Sequence, residues 1–322
     1  MIELSTSLVL ALHLWCVSVA SVGPLVSAWL DWVGRNRDDL SWQAAKFLSL
    51  KSLALLVLGT GLGLAATGLI WSDAYHELMH AFMYKIKWAG WELLFSFALM
   101  ASHAYLLCRG PARHLAGRLT RAAIALLAAT NLLYHFPTLL LVVSEMNAGY
   151  LEQPKAVDAA LFRTLMSQPS VLARSFHFVL ASLAVTGITL VAHGARLKRQ
   201  AETEANGHRL AIWGGRIALV PTLLQILVGI WVLAVVPPAM QQRLMGGDML
   251  ASGLMACSII GAPYLMHQLS AVALGDTSPR QLKLAVWTMI AVVVMMTATA
   301  RRAAPPKPKA SPINSTEAEH AD

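Results

Sequence analysis

Two histidines one helical turn apart are the first residues in this sequence whose spacing could do chemistry. The segment "SDAYHELMHAFMYKIKW", residues 72–88, contains His76, Glu77 and His80 in the pattern H-E-x-x-H. On a helix this pattern places two imidazoles on one face with a carboxylate beside them, as a zinc-bound water needs for peptide hydrolysis. A zinc protease is therefore one hypothesis. It requires a third ligand on another helix, and the sequence offers only Asp248 as a remote candidate.

The composition places that segment in a membrane protein. Of the 322 residues, 57% are hydrophobic and 13% are charged, whereas about a quarter of the residues of a soluble domain are charged. Apolar runs of about 20 residues, long enough to cross a bilayer, recur along almost the whole chain. We predict an all-α, polytopic membrane helix bundle. Its eight spans are expected at about 6–31, 46–71, 88–108, 117–144, 170–195, 211–237, 249–273 and 281–300.

This pattern predicts one transmembrane bundle over residues 1–300 and a tail over residues 301–322. The tail is rich in proline, alanine and charge, so it cannot bury enough apolar surface to fold. The formal net charge is +8, but the basic residues are spread over the loops, which argues against a nucleic-acid partner. Most of them follow the first, third, fifth and seventh spans. The positive-inside rule then places those loops in the cytoplasm and both termini outside.

Four ionisable side chains fall inside the predicted spans at a similar depth from the outer face: His13, Glu92, His135 and His177. Ionisable groups in a bilayer are costly, so each is a functional hypothesis. Axial histidines from facing helices at one level could hold a haem iron. Glu92 and the histidines could equally relay protons. The structural alternative is that each histidine hydrogen-bonds a carbonyl or hydroxyl of a neighbouring helix.

One segment resembles the fifth transmembrane helix of subunit I of the cytochrome bd quinol oxidases: "SQPSVLARSFHFVLASLAVTGITLVAHGARLKR". That helix carries Asn-Pro, a basic residue, a haem-ligating histidine, Ala-Ser and Val-Thr-Gly in order. The corresponding residues here are Gln168-Pro169, Arg174, His177, Ala181-Ser182 and Val185-Thr186-Gly187. The resemblance implies that His177 ligates a haem.

The resemblance covers about residues 6–240. "HLWCVSVASVGPLVSAWLD" resembles the family's first helix, which implies that His13 is a second haem ligand. "WAGWELLFSFALM" resembles the third helix, which implies that Glu92 carries protons or tunes a haem site. Arg243-Leu244-Met245 matches the Arg-x-Met pattern of the methionine that pairs with the fifth-helix histidine, and Met249 or Met255 could serve instead.

The sequence also departs from the family. Met100 stands where a second glutamate is expected, and the long quinol-binding loop is reduced to "PPAMQQRLMGGD". The family's loop between the second and third helices contains a histidine without zinc, so His76 and His80 could instead form a polar cap.

Taken together, the resemblance implies a b-type haem-binding membrane subunit of a respiratory electron-transfer complex. It implies one or two haem b groups, a second membrane subunit, quinol as a candidate substrate and the bacterial plasma membrane as its location. The alternatives are a haem-free membrane subunit or transporter that retains the bundle, and the zinc protease.

Overall fold

The computed structural model describes residues 2–34, 36–112, 114–149 and 156–304. These ranges contain α-helices and no β-strand. The helices are α1 Ile2–Val33, α2 Leu40–Leu69, α3 Asp73–Ala81, α4 Met83–Cys108, α5 Leu115–Asn147, α6 Ala159–Met166, α7 Pro169–Leu197, α8 Glu204–Val235, α9 Pro238–Gln242, α10 Met249–Leu274 and α11 Pro279–Ala303.

Eight of these helices are long and apolar enough to cross a membrane, which confirms the predicted bundle. They are α1, α2, α4, α5, α7, α8, α10 and α11. Several run past the expected ends: α2 begins at Leu40 rather than near residue 46, and α5 continues to Asn147 rather than 144. Helical hydrogen bonding does not stop where the apolar run stops. The last helix extends to Ala303, and residues 305–322 of the expected tail lie outside the described ranges.

The long helices pack mainly as sequential neighbours. α1 contacts α2, α4 contacts α5, α7 contacts α8 and α10 contacts α11. α1 also contacts α5 and α7, so it lies at the centre of the bundle. The largest apolar core joins α1, α2, α7, α8 and α10 through residues such as Val22, Leu48, Ile188, Leu210 and Leu269. This packing sets the positions of the helices that carry the predicted site residues.

Glycines bring α7 and α8 unusually close. A Cβ atom placed on Gly187 would lie 2.6 Å from both the Ala218 nitrogen and the Gly214 oxygen. One placed on Gly194 would lie 2.7 Å from the Gly207 oxygen. Small residues of this kind let helix backbones approach each other closely. In a membrane, van der Waals packing rather than the hydrophobic effect drives the association of helices. The close α7–α8 contact places α8 side chains beside His177.

The two ends of the bundle differ. The end we call the capped end carries the short helices α3 and α6. Tyr75, Leu78 and Phe82 are buried at this end against residues of α5 and α6. The guanidinium of Arg301 donates to the Ser7 hydroxyl at 3.2 Å, so both ends of the described chain lie there. The opposite end, which we call the basic end, holds the loops predicted to be cytoplasmic.

Candidate functional site

His13 lies on α1, and its ring packs against two glycines of α2. Its Nδ1 is 2.8 Å from the carbonyl oxygen of Gly59. A carbonyl can only accept, so Nδ1 carries the proton and the lone pair of a neutral ring is left on Nε2. Gly63 makes room for the ring, because a Cβ there would lie 2.8 Å from Cε1 of His13. A histidine oriented through one nitrogen by a carbonyl is the usual arrangement for a metal ligand that uses the other.

His177 lies on α7 and faces Gln225 of α8. The Gln225 side-chain nitrogen is 3.5 Å from Nε2 of His177, at the outer limit of a hydrogen bond. Nδ1 of His177 is buried and has no hydrogen-bond partner within the described residues. An unpaired buried polar atom costs about 1–3 kcal/mol. Because the Gln225 side-chain nitrogen can only donate, Nε2 of His177 holds the lone pair and Nδ1 carries a proton that no described residue accepts. The His177 site is thus polar, enclosed and incompletely satisfied.

Glu92 and His135 form a contact between α4 and α5. The Glu92 carboxylate lies 3.1 Å from Nδ1 of His135, and the two side chains keep 23% and 31% of their surface exposed. Asn131 steadies the pair by donating to the Glu92 backbone oxygen and to the Ser96 hydroxyl, both at 2.8 Å. The ring of Tyr134 packs edge-on against His135. A carboxylate and an imidazole in contact can exchange a proton. The structure therefore joins two of the four residues predicted at one depth.

Met245 lies in a single π-helical turn, Arg243–Gly247, between α9 and α10. Its side chain is 75% exposed, so it does not pack in the interior of the bundle. The next residue, Gly246, has a φ of 114°, a left-handed conformation that favours glycine. The predicted partner of His177 is thus on a sharp turn rather than on a long helix.

Asp248, the remote candidate for a third zinc ligand, is already engaged. Its carboxylate accepts from the Ala251 nitrogen at 3.1 Å and so caps α10. It also lies 2.7 Å from the Arg243 guanidinium and 3.1 Å from that of Arg302. The hydrogen bond from Ala251, assisted by the two arginines, lowers the pKa of Asp248 below its ordinary value. These contacts leave Asp248 as a structural residue at the capped end.

His76 and His80 lie on the exposed face of α3, with their ring centroids 5.9 Å apart. Tyr75 and Leu78 fill the buried face of the same helix. Across the residues that the structure describes, no three His, Cys, Asp or Glu side chains are grouped so that they could hold a metal ion. The arrangement that a zinc protease requires is not formed around this pair.

Two buried ion pairs were missed from the sequence because their acids fall at the predicted ends of spans. Asp31 of α1 is 4% exposed and lies 3.2 Å from the guanidinium of Arg121 on α5. Glu145 of α5 is 3% exposed and pairs with Arg174 of α7. Arg121 is itself buried. The sequence did contain a signal for these ion pairs: an acidic residue at the edge of one apolar run and a single arginine within another.

The comparisons with known proteins establish the fold. No protein-family model matches the sequence, and no curated protein matches it. As an eight-span α-helical membrane bundle, however, the chain is similar to a solved structure. The structure of bd oxidase from Geobacillus thermodenitrificans matches 94% of this chain and 86% of that chain, with a TM-score of 0.73 and 13% sequence identity. The expected bd oxidase-like fold is thereby confirmed.

Proposed function

We propose that this protein is a b-type haem-binding membrane subunit of a respiratory electron-transfer complex, similar to subunit I of the bd oxidases. The observation that carries the proposal is that His13 and His177, on a bd oxidase fold, each keep a ring nitrogen whose lone pair is available to a ligand. These nitrogens are Nε2 of His13, left free by the Gly59 contact at Nδ1, and Nε2 of His177, whose one contact is the Gln225 side-chain nitrogen at 3.5 Å.

In this proposal His177 holds a low-spin haem and His13 holds a second haem. The bound haem supplies the electron-transfer chemistry, whereas the chain sets its ligation, burial and hydrogen bonding. Met245, on the turn that Gly246 makes before α10, is the proposed partner of His177. The carboxylate of Glu92 engages Nδ1 of His135, and in this proposal the pair exchanges protons.

The proposed orientation follows the charge distribution. The basic end faces the cytoplasm by the positive-inside rule, and the capped end with both termini faces outward. We place the protein in the bacterial plasma membrane, with a second membrane subunit as partner and a membrane quinol as the electron donor to test. The resemblance of the sequence to a quinol oxidase subunit supports these assignments.

The test is a dithionite-reduced minus oxidised visible spectrum of the purified protein in detergent, with pyridine haemochrome quantification. We expect a b-type α-band and about one or two haems per chain. His13→Ala and His177→Ala should each remove part of the absorbance, since each removes one proposed ligand. His114→Ala is the matched control, because His114 is an exposed histidine at the basic end.

Two results would reject the proposal. One is a protein, expressed with ample haem, that shows no band. The other is a spectrum that neither His13→Ala nor His177→Ala changes relative to His114→Ala.

A haem-free membrane subunit or transporter is the second candidate, and one observation favours it. Met100, which stands at the family's second glutamate position, is 2% exposed and packs with the apolar residues of a core cluster. A proton path through that position is therefore filled by an apolar side chain. Absence of haem from the purified protein would make this second candidate the better description.

A further inference from the structure

Helix α3 is held firmly at the capped end. The Ser72 hydroxyl caps it by accepting from the Tyr75 nitrogen at 3.3 Å. Tyr75 and Leu78 are buried on its inner side. At its end, the Ala81 oxygen accepts from the Val157 nitrogen at 2.9 Å, which ties α3 to the segment before α6. A helix anchored in this way presents its other face in one orientation.

That other face is a row of exposed side chains with metal-binding chemistry. Asp73, His76, Glu77 and His80 are all exposed, at spacings of three, four and seven residues that share one side of a helix. The rings of His76 and His80 are 5.9 Å apart by centroid and inclined at 78°. Neither imidazole has a hydrogen bond within the part of the chain that the structure describes. Four ring nitrogens are thus available.

We propose that α3 carries a surface site for one divalent transition-metal ion, held by His76 and His80, with water completing its coordination. Metal–nitrogen distances of about 2.0–2.1 Å bring two ligating nitrogens to within a few ångströms of each other. Both rings are exposed on one face, so side-chain rotation alone can achieve this approach. The site is separate from the proposed haem ligands and does not depend on them.

The ligand set selects the class of ion. Imidazole nitrogen suits Cu²⁺, Ni²⁺ and Zn²⁺, and Cu²⁺ binds such sites most tightly among these ions. The carboxylates of Asp73 and Glu77 add negative charge beside the rings, which favours a cation. An ion held by two histidines of one exposed helix remains open to water and lacks the enclosing ligand of a protease. We therefore assign metal binding to α3, and not peptide hydrolysis.

Cu²⁺ is the probe for the test, applied to protein purified without a histidine tag, freed of metal by a chelator and treated with N-ethylmaleimide. The thiol reagent is needed because Cys108 and Cys257 are exposed and could compete. Calorimetric titration should give one equivalent for the unmodified sequence, and electron paramagnetic resonance should show nitrogen couplings from imidazole. Loss of an outer-shell partner already weakens metal affinity about 10- to 100-fold. His76→Gln and His80→Gln, which each remove a ligand, should weaken binding at least that much.

Further variants and measurements test whether the Cu²⁺ binding is specific to α3. His114→Gln alters an exposed histidine at the opposite end and should leave Cu²⁺ binding unchanged. Glutamine keeps a polar, helix-compatible side chain, so α3 should still fold, and Cu²⁺ should raise the thermal midpoint of the unmodified protein but not of the double variant. Haem content is measured on the same samples, and loss of Cu²⁺ binding with unchanged haem content isolates this site. Equal Cu²⁺ affinity in the double variant, or no binding by the unmodified protein, would overturn the proposal.

Discussion

Replacing Gly63 by alanine should disturb the His13 site while leaving the bundle intact. The added methyl carbon would lie 2.8 Å from Cε1 and 3.1 Å from Nδ1 of His13. Carbon atoms in favourable contact are about 3.5–4.0 Å apart. The imidazole must therefore retreat by roughly 1 Å, and it is the part of the contact that can move.

This movement of the His13 ring changes its hydrogen bonding. It stretches or breaks the 2.8 Å contact between Nδ1 of His13 and the Gly59 carbonyl. A net hydrogen bond contributes about 0.5–1.5 kcal/mol to stability. Alanine is favoured over glycine within a helix by about 0.8–1.0 kcal/mol. The two terms nearly cancel, so the free energy of unfolding should change little, whereas the ring loses the contact that orients it.

The assay separates these effects. Haem per chain and the reduced-minus-oxidised spectrum report the ligand, and the thermal midpoint in detergent reports the bundle. Loss of an orienting partner weakens metal affinity about 10- to 100-fold, so Gly63→Ala should lose haem or shift its band. Gly61→Ala is the matched control, because a methyl group there meets no atom within 4 Å. If the two variants share the same haem content and spectrum, Gly63 and Gly59 do not orient a haem ligand.

Two further predictions concern stability. Gly187→Ala should lower the thermal midpoint, since its Cβ meets α8 backbone at 2.6 Å and overpacking costs about 1–3 kcal/mol, whereas Gly229→Ala, with nothing within 4 Å, should not. Asp248→Asn should lower the midpoint at neutral pH, because the pKa of Asp248 is held below its ordinary value by the Ala251 hydrogen bond and the nearby Arg302. A lowered pKa contributes stability that is complete above the ordinary value of about 3.9 and is lost as pH falls through the folded-state value. The two midpoints should therefore converge in acid; a constant difference at all pH values would contradict an electrostatic cause.

The architecture was predictable because a bilayer demands long apolar helices, and their number and approximate places follow from the apolar runs alone. A search for long apolar runs does not detect α3 and α6. These helices are short and amphipathic, so they contain no apolar run of spanning length, and their burial depends on α5 residues distant in sequence. Gln225 was missed for a related reason. An uncharged glutamine in an apolar run gives no strong signal, and its importance comes from the close α7–α8 packing that places it near His177.

The apolar periodicity of the sequence does not indicate which helices pack against each other. The two buried ion pairs show how charged residues specify the neighbours of α5. α5 carries Arg121 near one end and Glu145 near the other, and they pair with Asp31 of α1 and Arg174 of α7. Breaking a buried pair by removing one partner costs about 3–5 kcal/mol, so these contacts strongly disfavour other neighbours. They also set direction. A reversed α5 would bring arginine against arginine and acid against acid, so the pairs fix the direction of the helix that carries His135 relative to those that carry His13 and His177.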